Sequence, residues 1–206
     1  MSVDLLSVAL RALAWRLLGL LLIALGLRRG GAASTTKSVA GVVILLAAFT
    51  LVGHTSNAPL RWVLSPVLLA HLAVVVFWFG ALLPLYLVNL REPAEASGRV
   101  VEQFSARATW LVPGLLLAGI FLGCLLLPDL AALRRPYGEL LIVKFLAFCT
   151  LMLPAAANKW HFGPALRQGD AAAGRRFRHA LAVEYGLIAA VLCVTAVLTT
   201  FYSPEG

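Results

Sequence analysis

Charge is what this sequence has least of. Only 13% of its 206 residues are Asp, Glu, Lys or Arg, about half the ~25% of an ordinary soluble domain. Apolar residues make up 61%, and the mean hydropathy is +0.92. So few charges cannot cover a globule of this length, which excludes a water-soluble domain. Cysteine is also scarce. Cys124, Cys149 and Cys193 all lie in apolar runs without CxxC spacing, which excludes a disulfide framework and a zinc site and leaves them as small hydrophobes. There is no Ser/His/Asp or Cys/His arrangement, no phosphate loop and no paired carboxylate, so the chain is not expected to be an enzyme. The net charge of +8 does not signal nucleic-acid binding, because Lys and Arg in such a chain report membrane topology first.

Long apolar runs are abundant. A helical span needs about 20 mostly apolar residues, and six stretches qualify: about 7–27, 38–56, 65–88, 109–127, 138–157 and 180–202. The expected fold is all-α, a polytopic bundle of six transmembrane helices forming one domain over 1–206. Arg11 and Arg16 interrupt the first span. A secretory signal peptide is rejected there, because the apolar core is long and Arg28 and Arg29 stand where a small-residue cleavage site belongs. That span is expected to begin as an interfacial turn whose arginines reach to head groups. The segments after spans one, three and five carry Arg28, Arg29, Lys37, Arg91, Arg99, Arg107, Lys159, Arg167, Arg175, Arg176 and Arg178. The opposite side carries Arg11, Arg16, Arg61, Arg134 and Arg135. By the positive-inside rule the richer side is cytoplasmic and both termini are periplasmic. The run RQGDAAAGRRFRH (167–179) reads as a cytoplasmic loop facing anionic lipid.

Two histidines stand out against this background. His54 falls near the outer end of span two. Span three is expected to start at Ser65-Pro66, with Ser capping and Pro at the first helical position. His71 then lies about 7–8 Å along the axis, at a depth similar to His54 on an adjacent antiparallel helix. Ionisable residues inside a bilayer are costly and mark function, and neutral imidazole binds copper, zinc and iron. Each histidine alone is better accounted for by a hydrogen bond to a carbonyl or a Ser/Thr on a neighbouring helix; the matched depth is what favours a shared metal ion. Cys124, at similar depth, is a candidate third ligand. Lys144, Glu184 and Met152 form a second tier. Lys144 fits a snorkelling side chain, and Glu184 fits either a structural pairing with Arg178, Asn158 or Lys159 or a transport or proton role. Trp78 with Gly80, Gly114 with Gly119 and Gly123, and Gly186 read as close helix-packing points. Pro113 and Pro154 are expected to kink their spans and free carbonyls.

Several segments taken in order resemble the copper resistance protein D (CopD) family of bacterial inner-membrane proteins. They are GHTS at 53–56, HLAVVVFWFGALLPL at 71–85 with its W-x-G step, FSARAT at 104–109, YGELLIVKFLAFCTLMLPAAANK at 137–159, and a last span opening with Glu184. The resemblance covers about 38–200. Families of this kind often have eight spans, which implies that one or two N-terminal spans of longer members lie outside these six. The resemblance implies inner-membrane copper uptake from the periplasm toward the cytoplasm, alongside a periplasmic copper carrier, with His54, His71 and Glu184 in the family pattern. The chain departs from a methionine-rich copper entry site, since only Met1 and Met152 occur.

Two other functions fit parts of the sequence. A b-type cytochrome would clamp haem b between His54 and His71. His161 and His179, the pair it would need for a second haem, look like loop residues. A non-catalytic membrane assembly subunit would have no site at all. The reading adopted is a multi-pass inner-membrane protein with the lipid bilayer and a copper ion as partners, no nucleic acid, and an oligomer left open.

Overall fold

In lipid a backbone must satisfy its own hydrogen bonds, and a helix does so within one segment. The computed structural model of the chain describes residues 3–28, 32–51, 60–127 and 129–201, and all regular structure among them is helical. The elements are α1 (Val3–Leu27), α2 (Ala32–Ala47) with a 3₁₀ turn (Ala48–Leu51), α3 (Arg61–Arg91), α4 (Ala94–Leu126), a 3₁₀ turn (Leu130–Arg134), α5 (Pro136–Ala157), a π-helical turn (Asn158–Phe162), short α6 (Gly163–Arg167) and α7 (Ala171–Phe201). Six stretches among the described residues are long and apolar enough to cross a membrane: Leu10–Leu27, Ala33–Thr50, Arg61–Arg91, Ala94–Leu126, Pro136–Arg167 and Ala171–Thr199. The all-α, polytopic expectation holds.

The helices run past their apolar spans. α3 starts at Arg61 rather than Ser65-Pro66, and Leu60 accepts its first backbone bonds from Val63 and Leu64 at 2.9 and 3.0 Å. Ser65 is therefore not the cap, and Pro66 falls in the second turn. α4 begins at Ala94, and α7 at Ala171, within the run that composition alone marks as a loop. The turn before α7 uses Gly169 at φ 82°, a conformation glycine adopts without strain. Asp170 Oδ1 then accepts the Ala172 N–H at 2.7 Å, occupying one of the orphan donors of a helix start.

The chain divides into two compact units, 1–73 and 74–206, with α3 contributing to both. In the first, α1 and α2 approach at glycine. A Cβ on Gly41 would lie 2.6 Å from the Gly19 carbonyl oxygen, and one on Gly19 would lie 2.8 Å from that of Gly41. Ser34 Oγ donates to the Gly26 carbonyl. The Arg16 guanidinium stacks 4.7 Å over the Phe49 ring, so this arginine is held within its own unit rather than only reaching for head groups.

The second unit buries Trp78, Leu82 and Leu85 of α3, Val101 and Leu115 of α4, Leu151 of α5, Leu166 of α6, and Phe177, Leu181 and Ile188 of α7. Its outward positions are apolar as well: Leu117 and Leu153 are 67% and 71% exposed, which suits lipid and not water. Two glycines allow backbone contact. A Cβ on Gly98 would meet Arg167 N at 2.6 Å, and one on Gly138 would meet the Ala132 oxygen at 2.4 Å. The expectation for Gly80, Gly114 and Gly186 is corrected. A Cβ at any of them meets nothing within 4 Å, so they are not close-packing points. At the arginine-rich end, buried Asn89 of α3 donates to Ser97 Oγ of α4 at 3.0 Å. Arg178 of α7 donates to Asn89 Oδ1 at 2.8 Å.

Candidate functional site

A carboxylate inside an apolar bundle needs donors, and the second unit supplies two. Glu184 of α7 is 2% exposed. One of its oxygens accepts the Trp78 Nε1–H at 3.3 Å, and the other accepts the Asn158 side-chain N–H. Trp78 is itself fixed edge-on against Phe148, with ring centroids 6.4 Å apart. The cations considered for Glu184 are engaged elsewhere: Arg178 with Asn89, and Lys159 with Thr109 Oγ1 at 2.7 Å. Among the described residues Glu184 has no ion-pair partner. Of the three partners weighed from sequence, the fold selects Asn158.

Local helix geometry explains this choice. Pro154 has no N–H to give to the turn before it. Four residues later the chain passes into the π-helical turn Asn158–Phe162, the kind of local widening that often re-aims side chains at a site. Asn158 is buried at its head, and its Oδ1 has no hydrogen-bond partner among the described residues.

A cavity of about 490 Å³ opens beside these groups, within the range of small-molecule sites. Glu184, Asn158 and Trp78 line it together with Met152, Lys159 and Thr109, and the remaining wall is mostly apolar. Pro113 of α4 also borders it. Lacking an N–H, Pro113 leaves the Thr109 carbonyl without its usual helical donor. The donor set is thus a carboxylate, a carboxamide oxygen and a thioether, all of which are metal ligands.

Of the site residues expected from sequence, Glu184 and Met152 line this cavity. His54 lies outside the described residues. His71 is half-buried on α3 in the first unit. Cys124 is exposed on α4 in the second. Lys144 is half-buried on α5, and Met152 packs against the core beside the cavity. No group of three His, Cys, Asp or Glu capable of holding a metal occurs among the described residues. His161 and His179 are exposed, in the π turn and on α7, and nothing favours a haem between them. The sequence marks Trp78 as a packing residue and gives Thr109 no role. A tryptophan facing a buried carboxylate leaves no local signature, because 106 positions separate the two.

Residues 98–198 match the copper resistance protein D (CopD) family. The resemblance read from the sequence is borne out over that stretch. "Inner membrane protein YebZ" of Escherichia coli (strain K12) is 28% identical over 134 residues, 63% of this chain and 46% of that relative. The chain therefore spans less than half the length of the curated relative it matches. No solved structure matches it. The chain is thus a multi-pass membrane protein that is similar, over about half of its length, to copper resistance protein D. Every cavity residue except Trp78 and Leu85 comes from the CopD-matching stretch.

Proposed function

We propose that this protein carries copper ions across the inner membrane from the periplasm toward the cytoplasm, with copper as cargo rather than resident cofactor. The observation that supports this most is that the CopD-matching stretch builds the cavity holding Glu184, Asn158 and Met152. These donors suit both copper states: carboxylate and carboxamide oxygens bind Cu(II), and the thioether binds Cu(I). In this reading the arginine-rich end is cytoplasmic and both termini are periplasmic, so the cavity is the inner station. The outer station, where a periplasmic copper carrier would deliver the ion, is expected at His54 and His71 from their matched depth in the sequence. Lys144, half-buried on α5, is a second-tier residue whose charge would shape the route. The protein acts as a carrier and not as an enzyme.

Elemental analysis and absorption spectra of copper-loaded, purified protein test the reading. The wild type is expected to retain copper without a Soret band, and His54→Ala/His71→Ala to lose it. Glu184→Gln is expected to keep the outer copper but to lower copper accumulation in cells. A copper-free wild type overturns the proposal. A haem spectrum would move the function to the cytochrome reading, and unchanged copper handling in both variants would move it to the assembly-subunit reading.

A further inference from the structure

A second cleft lies on the outside of the second unit, between the end of α5, the π turn and the first turns of α7. It is an open groove of about 520 Å³ lined by Arg175, Arg176, His179, Val183, Phe162 and Pro154. Polarity changes in one direction along it. Arg175 and Arg176 lie one turn into α7, His179 follows a turn later, and Ala180 and Val183 continue the same side. From Arg175 to Val183 the axis advances about 12 Å. The facing wall, Phe162 and Pro154, is apolar throughout.

The two arginines differ from Arg167 and Arg178 at this end of the unit. Arg167 is paired with Glu102 at 2.6 Å, and Arg178 with Asn89 at 2.8 Å. Arg175 and Arg176 are exposed and donate to no protein acceptor among the described residues. Guanidinium groups bind phosphate oxygens in a bidentate fork. Two of them above an apolar trough at the head of a membrane-crossing helix match a charged head group with a chain below it. A free phosphate would use the arginines but gain nothing from Val183 and Pro154.

We propose that this cleft is a binding site for one anionic phospholipid of the host membrane. Its phosphate sits on Arg175 and Arg176 beside His179, and an acyl chain lies along Val183, Phe162 and Pro154. The site is separate from the copper reading and does not depend on it.

The test is the melting temperature of the purified full chain in a neutral detergent, titrated with phosphatidylglycerol, phosphatidylcholine or inorganic phosphate. Phosphatidylglycerol is expected to raise it saturably, and the other two are not. Arg175→Gln/Arg176→Gln should weaken the apparent phosphatidylglycerol affinity about 25-fold, from about fivefold for each basic charge removed near a membrane surface. Arg99→Gln, at the same end but outside the cleft, should leave it unchanged. Val183→Trp, which fills the apolar end, should weaken it while keeping both arginines. Four results overturn the proposal: equal shifts with phosphatidylcholine, a shift with inorganic phosphate alone, an equal loss in Arg99→Gln, or an unaltered affinity in Val183→Trp.

Discussion

At the scale of single residues, Glu184 dominates because two buried donors depend on it. Removing its side chain in Glu184→Ala strands the Trp78 Nε1–H and an Asn158 N–H inside the bundle. The expected cost is about 1–3 kcal/mol, read as a lowered melting temperature in detergent. Glu184→Gln keeps one acceptor and should lose less than Glu184→Ala. Equal losses would mean that shape, rather than hydrogen bonding, holds this site together. The sequence marks Glu184 as costly, since carboxylates in apolar helices are rare. It leaves Arg178, Asn158 and Lys159 as rival partners. The choice falls to Asn158 only because a π turn follows Pro154 and because Arg178 and Lys159 find neutral oxygens closer at hand.

At the scale of helices, contact is decided by where small residues meet backbone. Gly98→Ala and Gly138→Ala would place a Cβ 2.6 Å and 2.4 Å from main-chain atoms, and backbone cannot move aside as a flexible side chain can. Each should destabilise by about 1–3 kcal/mol. Gly114→Ala and Gly186→Ala meet nothing within 4 Å and should be neutral or stabilising by up to about 1 kcal/mol, the helix-propensity gain of alanine over glycine. Thermal melts of the four variants check both halves of this prediction. The contrast was not legible in the sequence, where all four are glycines in or beside apolar runs. Asn89 ties α3 to α4 and α7 through Ser97 and Arg178. Interhelical hydrogen bonds in bilayers contribute about 0.6 kcal/mol each on average and at most about 1.7. Asn89→Ala should therefore cost roughly 1–3 kcal/mol. The exposed Glu102–Arg167 pair should cost less than about 1 kcal/mol when broken by Glu102→Gln.

At the scale of the molecule, orientation is the property that the distribution of arginine predicts. A single cysteine placed at Gln168, in the turn between α6 and α7, with Cys124, Cys149 and Cys193 replaced by serine, reads it directly. A membrane-impermeant maleimide should label this variant in inverted inner-membrane vesicles and not in intact spheroplasts. Labelling in spheroplasts would place the arginine-rich end outside, and the copper route proposed here would run the other way.

Hydropathy by itself determined the six membrane-crossing stretches and the helical class, charge set the expected orientation, and short ordered motifs carried the CopD resemblance. All of these follow from one-dimensional quantities: the length of an apolar run, the side on which Lys and Arg collect, and short ordered motifs. Tertiary structure alone decided that the basic run before span six is helix rather than loop, because Asp170 caps it and small residues let it dock. It alone decided which glycines touch a neighbour, and it alone brought Trp78 and Asn158 onto Glu184. A hydrogen bond between helices is set by rotation about each helix axis. A π turn changes that rotation, and hydropathy carries no mark of where one will fall.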